Sequence, residues 1–165
     1  MKIVYSDRWF RDNADSIGDW FNPKTFDWDY SGWLAEWCTS DIEFWFDANL
    51  FNWDYSDSLT QYCSSYFDLW WDTNKFNWNI YDTFLARYCS DHFDKWWDPK
   101  KFDWIYCYFL AEFCSEHFHK WFDPGVYVWH QKDALISYCI AYIDIWYDPA
   151  RFEESYDELL IESIK

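Results

Sequence analysis

Glycine and proline are scarce in this chain of 165 residues, which has three glycines, Gly18, Gly32 and Gly125, and four prolines, Pro23, Pro99, Pro124 and Pro149. So few and scattered glycines cannot form a phosphate-cradling loop, which excludes the nucleotide sites that rely on a glycine-rich turn. No CxxC or HExxH spacing and no Ser-His-Asp elbow occurs, so the short motifs of common metal and nucleophile sites are missing too. There is no run of about 18 uncharged apolar residues, the length a membrane-spanning helix needs. The stretch Met1–Asp7 lacks an apolar core of signal-peptide length. Positive charge is short, with 13 Lys and Arg against 30 Asp and Glu and a net charge of −17. Such a balance opposes binding to a phosphate backbone and favours a basic partner. The expectation is a soluble, cytoplasmic protein that makes no direct contact with nucleic acid or membrane.

What the chain has in abundance is aromatic residues, 28% of the total, and they recur. Leu34, Leu59, Leu85, Leu110 and Leu135 are spaced at about 25 residues, as are Cys38, Cys63, Cys89, Cys114 and Cys139. One tryptophan recurs at Trp20, Trp45, Trp70, Trp96, Trp121 and Trp146, and a second at Trp28, Trp53, Trp78, Trp104 and Trp129. A fixed period of this size marks stacked units, none of which can bury its apolar face alone. From each leucine the apolar positions fall at i+3, i+4, i+8 and i+11, which is the stripe of an amphipathic helix and not the alternation of a strand. Ser31, Ser56 and Asp82 stand where an N-cap belongs, and Cys107 and Lys132 replace them in the last two copies.

Downstream, Asn22, Asp47, Asp72, Asp98, Asp123 and Asp148 end the long helix, and every proline follows one of them. Asx followed by proline reads as an N-cap and first helical residue, so a short helix or single helical turn should start at each. Phe26, Phe51, Phe76, Phe102, Tyr127 and Phe152 should fold back from that turn onto the long helix. One extra residue lies between Trp78 and Asp82 and is expected in a loop. The fold class is therefore all-α: a right-handed-type helical solenoid of five to six repeats, each a long helix plus a short helical turn, with capping ends. It forms a single domain, with residues 1–28 an N-terminal cap and partial repeat, 29–152 five tandem repeats, and 153–165 a C-terminal capping helix.

The chemistry-bearing residues divide in the same way. Consecutive repeated cysteines should sit about one helix diameter apart, ~8 to 10 Å, beyond the reach of a disulfide, and read as reduced core residues. His92 and His117 lie three residues after Cys89 and Cys114, but Asp41, Tyr66 and Tyr142 hold that place elsewhere, so no metal or catalytic thiol is built into the repeat. Cys107 alone lies off the repeated position and is the cysteine expected to be exposed and reactive. Among the tryptophans, Trp9, Trp33, Trp37, Trp71 and Trp97 fall outside the two repeated positions and are the candidates for exposure. Acids recur opposite the apolar stripe, and stacking should carry them into a ridge. Its strongest positions are Glu43, Asp68, Asp91, Asp94, Glu112, Glu116 and Asp144. A surface made only for solubility mixes signs, whereas this one repels itself. The resulting expectation is a non-enzymatic protein without cofactor or metal, whose ridge binds a basic protein, as an inhibitor mimicking nucleic acid. The alternative is a scaffold that binds through exposed aromatics, with the acids only solubilising.

Overall fold

A computed structural model describes residues 5–152, which are all-helical: helix accounts for 69% of the structure and no strand occurs among the described residues. The expected C-terminal capping helix at 153–165 lies outside the described residues. Among the described residues twelve α-helices follow in chain order: α1 Asp7–Asn13, α2 Ile17–Trp20, α3 Ser31–Trp37, α4 Ile42–Trp45, α5 Ser56–Tyr62, α6 Phe67–Trp70, α7 Trp78–Tyr88, α8 Phe93–Trp96, α9 Cys107–Phe113, α10 Phe118–Trp121, α11 Lys132–Tyr138 and α12 Ile143–Trp146. They fall into two compact units, one ending at His92 and one beginning at Phe93. In the first, α1 packs on α3, α3 on α5 and α5 on α7; in the second, α9 packs on α11.

The long helix expected of each copy is not continuous. Each copy breaks at its cysteine: Cys38 has φ −113° and ψ 32°, and a 3-10 turn, Thr39–Asp41, separates α3 from α4. Two donors stabilise the break by sharing the Cys38 carbonyl, the Asp41 amide at 3.1 Å and the Trp45 indole N–H at 2.7 Å. The same indole bond runs from Trp70 to the Cys63 carbonyl at 2.8 Å, and in the second unit from Trp121 to Cys114 at 2.9 Å and from Trp146 to Cys139 at 2.8 Å. Trp20 makes it to Asn13 at 3.0 Å, so the N-terminal segment is itself a copy, with asparagine in the cysteine's place. An indole seven residues on supplies the donor that the broken ladder withdraws, which keeps a buried carbonyl paired.

The Asx turn holds as expected. Asn22, Asp47, Asp72, Asp98, Asp123 and Asp148 each accept a bond from the amide two residues on, at 2.8 to 3.1 Å. One helical turn follows, closed for example by the Phe51 amide on the Asp47 carbonyl at 2.9 Å. The second tryptophan donates back to the carbonyl five residues earlier, from Trp28 to Pro23 at 3.2 Å and from Trp53 to Ala48 at 3.0 Å. The aromatics from Phe26 to Phe152 that end the turn are all buried.

Three other expectations change. Ser31 and Ser56 are not N-caps of their own helices; their hydroxyls accept the Asn52 and Asn77 amides of the following copy at 3.2 and 3.3 Å. The caps are Asp27, Asn52 and Asp103, which precede the second tryptophan. The inserted residue lies in no loop, because α7 is one helix of 11 residues from Trp78. With four residues instead of three before the cap position, the tight 3-10 turn of other copies opens to the wider α-helical ladder. Finally, the i+3 position is not core: Tyr62 and Tyr138 are exposed, while the small residues at i+1, Ala35, Thr60, Ala86 and Ala111, are fully buried.

Candidate functional site: an acidic surface over a thiol-lined core

The repeated cysteines belong to the packing. All six cysteines are free and buried. The Cys63 thiol points its sulfur at the Ala35 carbonyl, 3.5 Å away, and Cys89 at the Thr60 carbonyl, 3.8 Å away; in the second unit Cys139 meets Ala111 at 3.8 Å. Those carbonyls lie in the last turn of a helix, where the backbone ladder leaves them unpaired. A small side chain with a weak donor therefore fits between copies where a larger polar one would not. Burial pushes the thiols of Cys38, Cys63, Cys89, Cys114 and Cys139 up to about 12, so none is a thiolate nucleophile at neutral pH.

Cys107 is buried as well, contrary to its expected exposure. Its sulfur lies 3.1 Å from the Gln131 side-chain oxygen, which also accepts the Tyr108 amide at 3.1 Å. Burial raises its thiol too. His92 stacks on Phe67 at 4.6 Å, and in the second unit His117 stacks on Phe93 at 4.6 Å and Tyr142 on Phe118 at 4.8 Å. In these three copies the flat ring packs against a phenylalanine of the previous copy. Among the described residues no three His, Cys, Asp or Glu converge as a metal site.

The acids are on the surface. Glu43, Asp68, Asp91, Asp94, Glu116 and Asp144 are exposed, and Glu112 is half-buried. The break at each cysteine divides them, since no continuous helix joins Glu112 in α9 to Glu116 in the following 3-10 turn. Glu43, Asp68, Asp94 and Asp144 share one place, the second residue of the short helix, which His119 takes in α10. Nor is the surface of one sign. Lys120 forms an ion pair and hydrogen bond with Asp94 of the preceding copy, which holds the Asp94 carboxyl below the usual carboxylate range. At the next position stand exposed apolar side chains in three copies, Phe44 at 58%, Leu69 at 46% and Ile145 at 50%. Helical periodicity does not foretell these exposed apolar residues, because it assigns outward positions to polar residues.

Each irregular tryptophan has its own packing. Trp71 and Trp97 stand where other copies have Phe46, Phe122 and Tyr147, and lie half-buried on Phe67 and Phe93, respectively. Trp9 packs edge-on to Trp20 at 4.8 Å. Trp37 donates its indole N–H to Asp7 at 2.9 Å. Trp33 stacks on Tyr30 at 5.3 Å and lines a cavity, and Trp97 lines another. No helix among the described residues is long and apolar enough to cross a membrane. Compared with known protein families, curated proteins and solved structures, the chain matches none.

Proposed function

We propose that the copies stack as a short helical solenoid of the right-handed type, and that its acidic surface binds a basic protein partner without catalysing a reaction. The observation that supports this is the exposure of Glu43, Asp68, Asp91, Asp94, Glu116 and Asp144 on a chain whose net charge is −17. Carboxylates held outward on short, regular helices attract a basic groove at a distance and compete there with phosphates, so the protein acts as a nucleic-acid mimic and inhibitor. Six buried free thiols suit a reducing compartment such as the cytoplasm.

The test is capture from host lysate on the immobilised chain at low salt, followed by a salt gradient, with the triple variant Glu43→Lys, Glu116→Lys, Asp144→Lys alongside. Basic nucleic-acid-binding proteins released sharply by salt, and not captured by the variant, are the expected result. Neutral proteins that withstand salt and bind the variant equally would overturn it. That outcome would favour the scaffold reading, for which Phe44, Leu69 and Ile145 are the specific support, since apolar contact survives the salt that screens charges.

A further inference from the structure

Repetition accounts for most residues of this chain, so positions that vary from copy to copy are informative. At the place of Gly32 the other copies carry Asp57, Thr83, Tyr108 and Asp133, and at the place of Trp33 they carry Ser58, Phe84, Phe109 and Ala134. Gly32 and Trp33 act on one spot in the first unit. A Cβ on Gly32 would lie 2.9 Å from Tyr55 Cδ1 and 3.0 Å from Cγ, so glycine lets the Tyr55 ring come down onto α3. The small Ser58 leaves room opposite Trp33. The result is a cavity of about 250 Å³ walled by Tyr30, Trp33 and Tyr55 and bordered by Asp29 and Glu36. Its lining carries two carboxylates and no basic residue.

We propose that this cavity is a binding site for an organic cation, a quaternary ammonium or guanidinium head. Aromatic walls attract such a head through their ring quadrupoles, and the carboxylates add direct charge attraction. Water competes poorly here, because an alkylated or delocalised cation is weakly hydrated and gains contact with the rings. The volume lies just below the range of ~300 to 1,000 Å³ typical of ligand pockets, which fits a headgroup and excludes a large ligand. The lining includes none of Glu43, Glu116 and Asp144, whose reversal tests the acidic surface, so either proposal can fail alone.

The experiment titrates ¹⁵N-labelled full-length chain with choline, with N-acetylarginine amide, and with 3,3-dimethyl-1-butanol, the neutral isostere of choline, following the Trp33 indole N–H signal and the Gly32 backbone amide signal, the latter serving alone where Trp33 is replaced. Binding by choline points to a free small cation, and binding by the arginine amide alone to a side chain of a protein partner; either supports the site. The double variant Trp33→Ser, Glu36→Gln installs residues that the next copy already carries at those places, Ser58 and Gln61. It is expected to weaken cation binding about tenfold or more with unchanged helix content. Glu36→Gln alone keeps the cavity's shape and should still weaken binding several-fold. The proposal is overturned if neither cation moves the signal, if the neutral isostere moves it equally, or if the variants bind as the parent does.

Discussion

Two glycines in helices make opposite predictions for the same substitution. A Cβ on Gly18 in α2 would have nothing within 4 Å of it, whereas a Cβ on Gly32 in α3 meets Tyr55 Cδ1 at 2.9 Å, Cγ at 3.0 Å and Cβ at 3.3 Å. Alanine is better than glycine in a helix by about 0.8 to 1 kcal/mol, chiefly because glycine loses more backbone freedom on folding. Gly18→Ala should gain up to that amount. At Gly32 the clash falls on the root of the tyrosine side chain, which cannot swing away without moving its backbone, and overpacking of this kind costs about 1 to 3 kcal/mol. The net for Gly32→Ala is a loss of roughly 0 to 2 kcal/mol, so the two variants should differ by about 1 to 3 kcal/mol. Urea denaturation followed by far-ultraviolet circular dichroism measures both. With Tyr55→Ala as background, Gly32→Ala should change sign and stabilise. A Gly32→Ala variant as stable as Gly18→Ala in the native background would refute the packing of Tyr55 on α3.

Trp121 is 1% exposed and caps the Cys114 carbonyl, whereas Trp129 is part-exposed and bonds at the surface. Trp121→Phe should therefore cost more in urea melts than Trp129→Phe, by the buried bond of about 1 kcal/mol plus the vacated ring volume; equal losses would show that the indole bond contributes nothing at the break. The buried thiols give an alkaline limit. Their folded value of about 12 stands above the ordinary 9, so the folded state keeps protons that the unfolded chain releases between them. Stability from this source is complete below pH 9 and falls as pH rises towards 12. Cys63→Ala should make that decline shallower, and an unchanged slope in pH-dependent melts would contradict burial as the cause. Asp94 is ion-paired with Lys120, so Lys120→Gln should raise the Asp94 carboxyl towards its ordinary value in a carbon-detected NMR titration.

Much of this molecule was legible in its sequence because its period is written in large side chains. Leucine, cysteine and the first of the two recurring tryptophans named buried positions, and Asx with proline named the turns, the latter because that signal depends on backbone geometry within five residues. The break at each cysteine was not legible. Hydrophobic spacing cannot tell a continuous helix from one interrupted by a 3-10 turn, and the indole bond that sustains the interruption joins residues seven apart. The burial of Cys107 and the cross-copy roles of Ser31 and Ser56 were equally hidden, because each depends on an amide or amide side chain more than 20 residues away. Sequence alone determined the repeat, its helical class and its excess of acid. Tertiary packing decided which carboxylates stand clear, which is ion-paired, and where Gly32, Trp33 and Tyr55 leave a cavity, because close approach between copies depends on side-chain volumes brought together only by folding.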